Sequence, residues 1–226
     1  MRPLVVIAVV VLVLSLLVLF GPERVDRPKL ARASGVEAPI YERVCQQCHG
    51  VRGAGSAELR TPSIAGQPAW YLEEQLGKFR SGWRGAEPRD VAGQQMRSIA
   101  LALSETELDE VVRVVAAFPR HETEPVLAGD LPLGRLVYEE QCIDCHRYNG
   151  SGEKVFGSSP LSGFQDWYIA AQLEKFRLGI RGYHADDERG AQMRHLISYL
   201  DETELNDVAA YIATLGERYP PRDRRR

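Results

Sequence analysis

The chain has 226 residues, 44% of them apolar and 26% charged, with a formal net charge of −3. Such a composition suits one or two globular domains and excludes a disordered or collagen-like chain. No strong positive field is available to hold nucleic acid, so none is expected as a partner. Four cysteines are too few for a disulfide scaffold at this length, so their placement matters more than their number.

From the N-terminus, Leu4 to Phe20 form an apolar run softened only by Ser15. As a helix, its 17 residues would span roughly 25 Å, at the lower end of what crosses a bilayer. Residues 1–20 are therefore expected to be a single transmembrane anchor, with a cleaved export signal as the alternative. The residues after the run, Leu19-Phe20-Gly21-Pro22, fit a cleavage site poorly. Ala31-Arg32-Ala33 has the right form but lies about a dozen residues too far downstream. Arg2 precedes the run, whereas Arg24, Arg27, Lys29 and Arg32 follow it. By the positive-inside rule alone, the bulk of the chain would stay in the cytoplasm. Residues 21–37 read as a linker.

The rest of the chain repeats itself at an offset of 97 residues. Cys45-Gln46-Gln47-Cys48-His49 meets Cys142-Ile143-Asp144-Cys145-His146, and Trp70-Tyr71 meets Trp167-Tyr168. Gln75, Lys78, Phe79 and Arg80 meet Gln172, Lys175, Phe176 and Arg177, and Arg84-Gly85 meets Arg181-Gly182. Gln95-Met96-Arg97 meets Gln192-Met193-Arg194, and Glu105 to Leu108 meets Glu202 to Leu205. Two similar domains follow, at 38–118 and 134–217, with a Pro- and Gly-bearing linker at 119–133 and a basic tail at 218–226.

Each repeat is expected to be all-α, with three main helices joined by long loops. The first runs into the cysteines, around Pro39 to Gln47 and Gly134 to Ile143. The second covers Ala69 to Phe79 and Asp166 to Phe176, where Tyr71, Leu72, Gln75, Leu76 and Phe79 form a one-sided stripe. The third starts at Ser104 or Asp201, with Glu107 or Glu204 completing a capping box, and ends near Phe118 or Leu215. Nothing alternates like a strand. The loops would not hold a core alone, so another group must fill the centre of so small a domain.

C-x-x-C-H is the attachment signature of a c-type haem. Two thiols three residues apart on a helical turn can add to the two vinyl groups on one haem edge, and the next residue then offers an imidazole to the iron. Cys45 and Cys48, and Cys142 and Cys145, are thus the expected anchors of two covalent haem c groups, with His49 and His146 as iron ligands. Beyond Met1 the chain has two methionines, Met96 and Met193, each 47 residues after its motif histidine. Flexible core filler has no reason to recur at one place in each repeat. Both are expected as the second axial ligands, a thioether opposite imidazole, which favours ferrous iron. His121, His184 and His195 do not recur and read as surface histidines. A zinc ribbon needs paired C-x-x-C motifs close together, and a thioredoxin-like pair needs a βαβ setting; neither is present. Gly53, Gly55, Gly150 and Gly152 read either as tight-loop residues or as places where backbone closes on the porphyrin. A carbonyl near Pro62 or Ser159 is expected to orient the histidine. Trp70 and Trp167 read as core packing beside haem.

With these motifs in place the sequence resembles the cytochrome c4 family, two fused class I cytochrome c domains. The resemblance is carried by Cys45 to Gly50 with Gly53 and Gly55, Pro62 to Gln67, Tyr71 to Leu76, Phe79 to Arg84, Met96, and Leu103 to Leu108. The same order recurs from Cys142 to Leu205. It implies a periplasmic di-haem carrier whose domains face each other about a pseudo-two-fold axis, haem edges close. It also implies a quinol-oxidising complex as electron donor and a haem-copper terminal oxidase as acceptor. Arg147 in place of Gly, the displaced Pro160, and Gly163-Phe164 where Gly-Gln is usual depart from the pattern. With both axial positions filled, no small-molecule substrate is expected at iron, and the chain is expected to be a carrier rather than an enzyme. The alternatives are a cytochrome subunit of a larger membrane oxidoreductase or dehydrogenase and, less well supported, a di-haem peroxidase. Haem attachment takes place outside the cytoplasmic membrane, so a single-pass protein on the periplasmic face of the inner membrane is expected, against the statistical charge rule.

Overall fold

The computed structural model describes residues 39–121, 123 and 125–218. The anchor expected at 1–20, the linker at 21–37 and the tail after Arg218 lie outside these residues. Among the described residues, no helix is long and apolar enough to cross a membrane.

Each repeat begins with a helix that changes pitch as it reaches the cysteines. In α1, a π-helical turn, Tyr41–Cys45, passes into an α-helical turn, Gln46–His49. The Gln46 N–H donates to Tyr41 O, five residues back. α2 (Ala69–Ser81) ends where Gly82 turns left-handed and donates to Phe79 O. α3 (Val91–Ala102) starts at Asp90, whose carboxylate accepts the Gly93 N–H. α4 (Glu105–Ala117) starts at the reciprocal capping box of Ser104 and Glu107.

Repeat two follows the same plan. α5 comprises Leu131–Val137, a π-helical turn Tyr138–Cys142 and an α-helical turn Ile143–His146. α6 is Asp166–Arg177, α7 is Glu188–Ile197 and α8 is Glu202–Arg218. The expected box at Asp201 forms in both directions, at 2.8 and 2.9 Å. α5 begins at Leu131, inside the expected linker, because Asp130 caps it and Pro132 suits a first helical turn.

Among the described residues each repeat has four α-helical elements where the sequence led one to expect three, with a short 3-10 turn, Val51–Gly53, besides them in repeat one. α3 and α7 replace the long loops, and they carry Met96 and Met193. Among the described residues the strand-like features are two isolated bridges, Ser56 to Thr61 and Glu153 to Ser158.

In repeat one, Leu108, Val111, Val112 and Val115 of α4 pack on Tyr41 of α1 and Leu72 of α2. In repeat two, α8 lies across α5 and α6, burying Tyr138, Leu173, Val208, Ile212 and Leu215. Gly134 permits the closest approach of α5 to α8, since a Cβ there would sit 2.1 Å from Asp207 O. Tyr71 is an exception to this division: it belongs to repeat one but is buried in the core of repeat two.

Several contacts between the repeats come in reciprocal pairs, as a two-fold relation leads one to expect. Lys78 pairs with Asp187 at 3.0 Å, and Lys175 with Asp90 at 2.6 Å. Arg84 donates to Gln75 at 2.8 Å within its own repeat, and to Tyr168 and Gln172 of the other at 2.9 and 3.1 Å. Arg181 donates to Gln172 at 2.9 Å and to Gln75 at 3.5 Å. Gln165 reaches back to accept from the Ser63 N–H at 2.9 Å and to donate to Ala54 O at 3.3 Å. The connecting segment is docked by the buried Asp166 carboxylate, which accepts the Val126 and Leu127 N–H groups.

Candidate cofactor sites

The turn holding each C-x-x-C-H motif is fixed from several sides. Tyr41 donates its hydroxyl proton to Gly50 O at 2.7 Å, and Tyr138 donates to Arg147 O at 2.5 Å. Thr61 and Ser158 donate to the carbonyls of Cys48 and Cys145, at 2.5 and 2.6 Å. The loop then folds back on itself, with Ile64 N–H on Gly53 O and Leu161 N–H on Gly150 O. Gly55 has φ +82°, and a Cβ there would meet Ser63 N at 2.5 Å and Gln165 Nε2 at 2.8 Å. These contacts support the tight-loop reading of that glycine, since what closes on it is backbone and the other repeat.

Both motif histidines are buried, and each spends Nδ1 on a backbone carbonyl. His49 Nδ1 is 3.0 Å from Pro62 O, and His146 Nδ1 is 2.8 Å from Ser159 O. A carbonyl can only accept, so Nδ1 carries the proton and Nε2 keeps its lone pair for a metal. Burial lowers the pKa of both imidazoles, against the carbonyl bond that raises it, and so favours the neutral ring. The orienting carbonyls lie where the sequence suggested, and the displaced Pro160 leaves Ser159 O in the matching place. None of the four cysteines is paired in a disulfide. Burial pushes Cys45 up to about 11 and Cys142 up to about 12.

In repeat two a largely apolar cavity brings four of the expected residues together. Cys142, Cys145 and His146 line one side and Met193 with Leu196 and Ile197 of α7 another. α6 contributes Ile169, Leu173 and Phe176. Tyr71, Gln75 and Lys78 of repeat one also reach its wall. Two thiols, an imidazole with a free Nε2 and a thioether around an apolar space fit a covalently attached haem. In repeat one, Met96 is half-buried on α3 at the position matching Met193.

Both tryptophans pack against protein, Trp167 buried and Trp70 half-buried. Neither lines the repeat-two cavity. Trp167 lies under the Arg60 guanidinium of repeat one, 5.0 Å from its ring centre, and Trp70 packs against the core of repeat two. His184, read as a surface residue, stacks on Trp83 of the other repeat at 5.5 Å. The reciprocal Lys–Asp pairs and the Arg84–Arg181 cluster were missed as functional features. Their signal was present, because Lys78, Arg84 and Asp90 all recur as Lys175, Arg181 and Asp187.

Two helical repeats, each closing around a C-x-x-C-H turn, define a tandem c-type cytochrome, an electron carrier with two covalent haem c groups. The chain belongs to the cytochrome c family, whose model matches residues 38–115 and 132–216, and within it is cytochrome c4-like. A thiosulfate dehydrogenase electron acceptor from Stutzerimonas stutzeri (strain A1501) is 31% identical over 219 residues, covering 91% of this chain and 94% of the relative. The solved structure of Acidithiobacillus ferrooxidans cytochrome c4 matches with a TM-score of 0.63 at 26% identity, covering 76% of this chain and 99% of that one. A thiosulfate dehydrogenase structure from Marichromatium purpuratum matches with a TM-score of 0.61 at 28% identity, over 75% of this chain. The match spans 36% of that longer chain.

Proposed function

We propose that this chain is a periplasmic, membrane-tethered di-haem carrier that relays single electrons between redox complexes. Cys45 and Cys48 hold one haem and Cys142 and Cys145 the other, with His49/Met96 and His146/Met193 as the axial ligands. The observation that carries this reading is the cavity that gathers Cys142, Cys145, His146 and Met193. When bound, haem c supplies one-electron Fe(III)/Fe(II) cycling with no substrate at iron. The carbonyls of Pro62 and Ser159 hold the imidazole planes fixed. The apolar walls exclude water and keep the surrounding dielectric low. Filled axial positions argue against peroxidase chemistry, which needs an open one.

The segment at residues 4–20 tethers the carrier to the inner membrane, and the linker lets it reach partners without leaving the surface. Its partners are a quinol-oxidising complex as donor and a haem-copper terminal oxidase as acceptor. A second reading, favoured by the likeness to thiosulfate dehydrogenase electron acceptors, makes the donor a sulfur-compound dehydrogenase. Stopped-flow reduction of the purified protein by each donor class decides between them: the true donor reduces it fast and in a salt-dependent way. Met96→Ala and Met193→Ala should each open one iron to carbon monoxide and lower its potential, leaving the other nearly unchanged. Carbon monoxide binding to both irons of the wild type would overturn the ligand assignment and revive the peroxidase alternative. A released product beginning near Ser34 would overturn the tether.

A further inference from the structure

We propose that each methionine-bearing helix is locked by a lysine of the other repeat, making Lys175 a positioning residue for the first centre and Lys78 for the second. The inference rests on Met96 and Met193 being iron ligands and adds the device that holds them.

Asp90, Gly93 and Met96 follow one another at intervals of three on α3, and Asp187, Gly190 and Met193 do the same on α7. Each aspartate caps its helix, Oδ1 accepting the glycine N–H at 2.9 Å in α3 and 3.1 Å in α7. The carboxylate lies directly over the glycine: a Cβ on Gly93 would sit 2.1 Å from Asp90 Oδ2, and one on Gly190 2.2 Å from Asp187 Oδ2. The previous loop presses on the other side of the same turn, because Cβ atoms on Gly85 and Gly182 would meet Gly93 O and Gly190 O at 2.2 and 2.1 Å. The first turn of each helix therefore has no slack. Wherever the carboxylate is held, the helix and its methionine are held with it.

What holds the carboxylate comes from the opposite repeat. Asp90 is 2% exposed and Asp187 5%. A carboxylate so buried needs a cation, and leaving one uncompensated is strongly destabilising. Lys175 of α6 supplies it to Asp90 at 2.6 Å, and Lys78 of α2 supplies it to Asp187 at 3.0 Å. The pairs cross the interface in both directions, so each repeat completes the ligand-bearing helix of the other. They are not equal. Lys78 is shared with Glu74 at 3.0 Å, whereas Ala171 stands at the position matching Glu74 and Lys175 serves Asp90 at the shorter distance. The first centre is therefore the more dependent on its partner.

The test uses the holoprotein in two backgrounds and reads the sulfur-to-iron charge-transfer band and imidazole binding to the oxidised iron. Met193→Ala leaves only the band of the Met96 centre. Adding Lys175→Gln should weaken that band and raise imidazole affinity at this centre about tenfold, a usual size for coupling between sites. Adding Lys78→Gln should change neither. In a Met96→Ala background the two lysines should exchange roles, and in each background the arginine variant of the controlling lysine, Lys175→Arg with Met193→Ala or Lys78→Arg with Met96→Ala, should keep the values seen with lysine in place. If Lys175→Gln yields no holoprotein, Lys175→Leu keeps the apolar packing of the stem without adding a sulfur and gives the same reading. An unchanged Met96 band and imidazole affinity in the Lys175 variant would overturn the proposal while the ligand assignment stands. So would equal effects of both lysines on both centres, which would mean general loosening. A full band surviving in Met193→Ala would instead reject the ligand assignment and the proposal with it.

Discussion

Arg147 has φ +65° and ψ +161°, a backbone region that only glycine enters freely. The matching residue of repeat one is Gly50, at φ +73° and ψ +173°. The carbonyl of Arg147 is pinned by the Tyr138 hydroxyl, so the conformation cannot relax without giving up that bond. The strain costs on the order of 1–3 kcal/mol, against up to about 1 kcal/mol of extra chain entropy for glycine. The guanidinium pairs with Glu153 at the surface, where an ion pair contributes little. Arg147→Gly should therefore stabilise the protein by about 1 kcal/mol, a rise in Tm of roughly 2–4 °C for a chain of this size. An unchanged or lower Tm would show that the turn is relaxed with arginine. At this scale the sequence was highly legible. The departure at Arg147 was visible as a missing glycine, and the carbonyls that meet the two motif histidines belong to Pro62 and Ser159, the residues the sequence pointed to. The rotamer-level partners were not legible, because Lys78 bonding to Asp187 depends on how two distant segments meet.

Helices with strong local signals were legible, and those whose signal is completed by the cofactor space were not. α4 and α8 carry a capping box, so both starts could be read, although α8 runs on to Arg218, past the end expected near Leu215. α3 and α7 bury few residues: Gly93 and Ala100 in one, Gly190 and Ile197 in the other. In α7 part of the remaining apolar face, Met193 and Leu196, lines the cavity. Periodicity sums over residues that meet other residues, so a helix facing a prosthetic group looks like a loop. Its caps were also less distinctive, an aspartate closing on a glycine rather than a Ser–Glu pair. The box at Ser104 offers a direct check. Its hydroxyl and the Glu107 carboxylate satisfy two otherwise free N–H groups at the start of α4. Ser104→Ala should cost about 1 kcal/mol in denaturant unfolding, with Ser104→Asp close to wild type. Equal losses in both variants would mean that packing, not capping, fixes this end.

For the whole molecule, the tandem was legible from the offset of 97 residues, but which faces join the repeats was not. The stripe on α2 illustrates why. Tyr71, Leu72, Gln75 and Phe79 form one continuous buried face, yet it serves two bodies. Leu72 enters the core of its own repeat, while Tyr71 enters that of repeat two, its ring 6.0 Å from Phe164. A hydrophobic pattern records burial and not the identity of the neighbour. Tyr71 therefore couples the stability of the repeats, reinforced by the reciprocal lysine–aspartate pairs on either side. Tyr71→Ala should cost about 3–5 kcal/mol, the usual loss for a large buried aromatic. It also removes a buried apolar link between the two cores, so equilibrium unfolding of the holoprotein should change from one transition to two. Leu72→Ala, buried on the same helix but within repeat one alone, should destabilise by a comparable 2–5 kcal/mol without the same uncoupling from the repeat-two side. Differential scanning calorimetry distinguishes them: a single sharp transition in Tyr71→Ala, with calorimetric and van't Hoff enthalpies equal, would show that the polar contacts alone make the two repeats one cooperative unit.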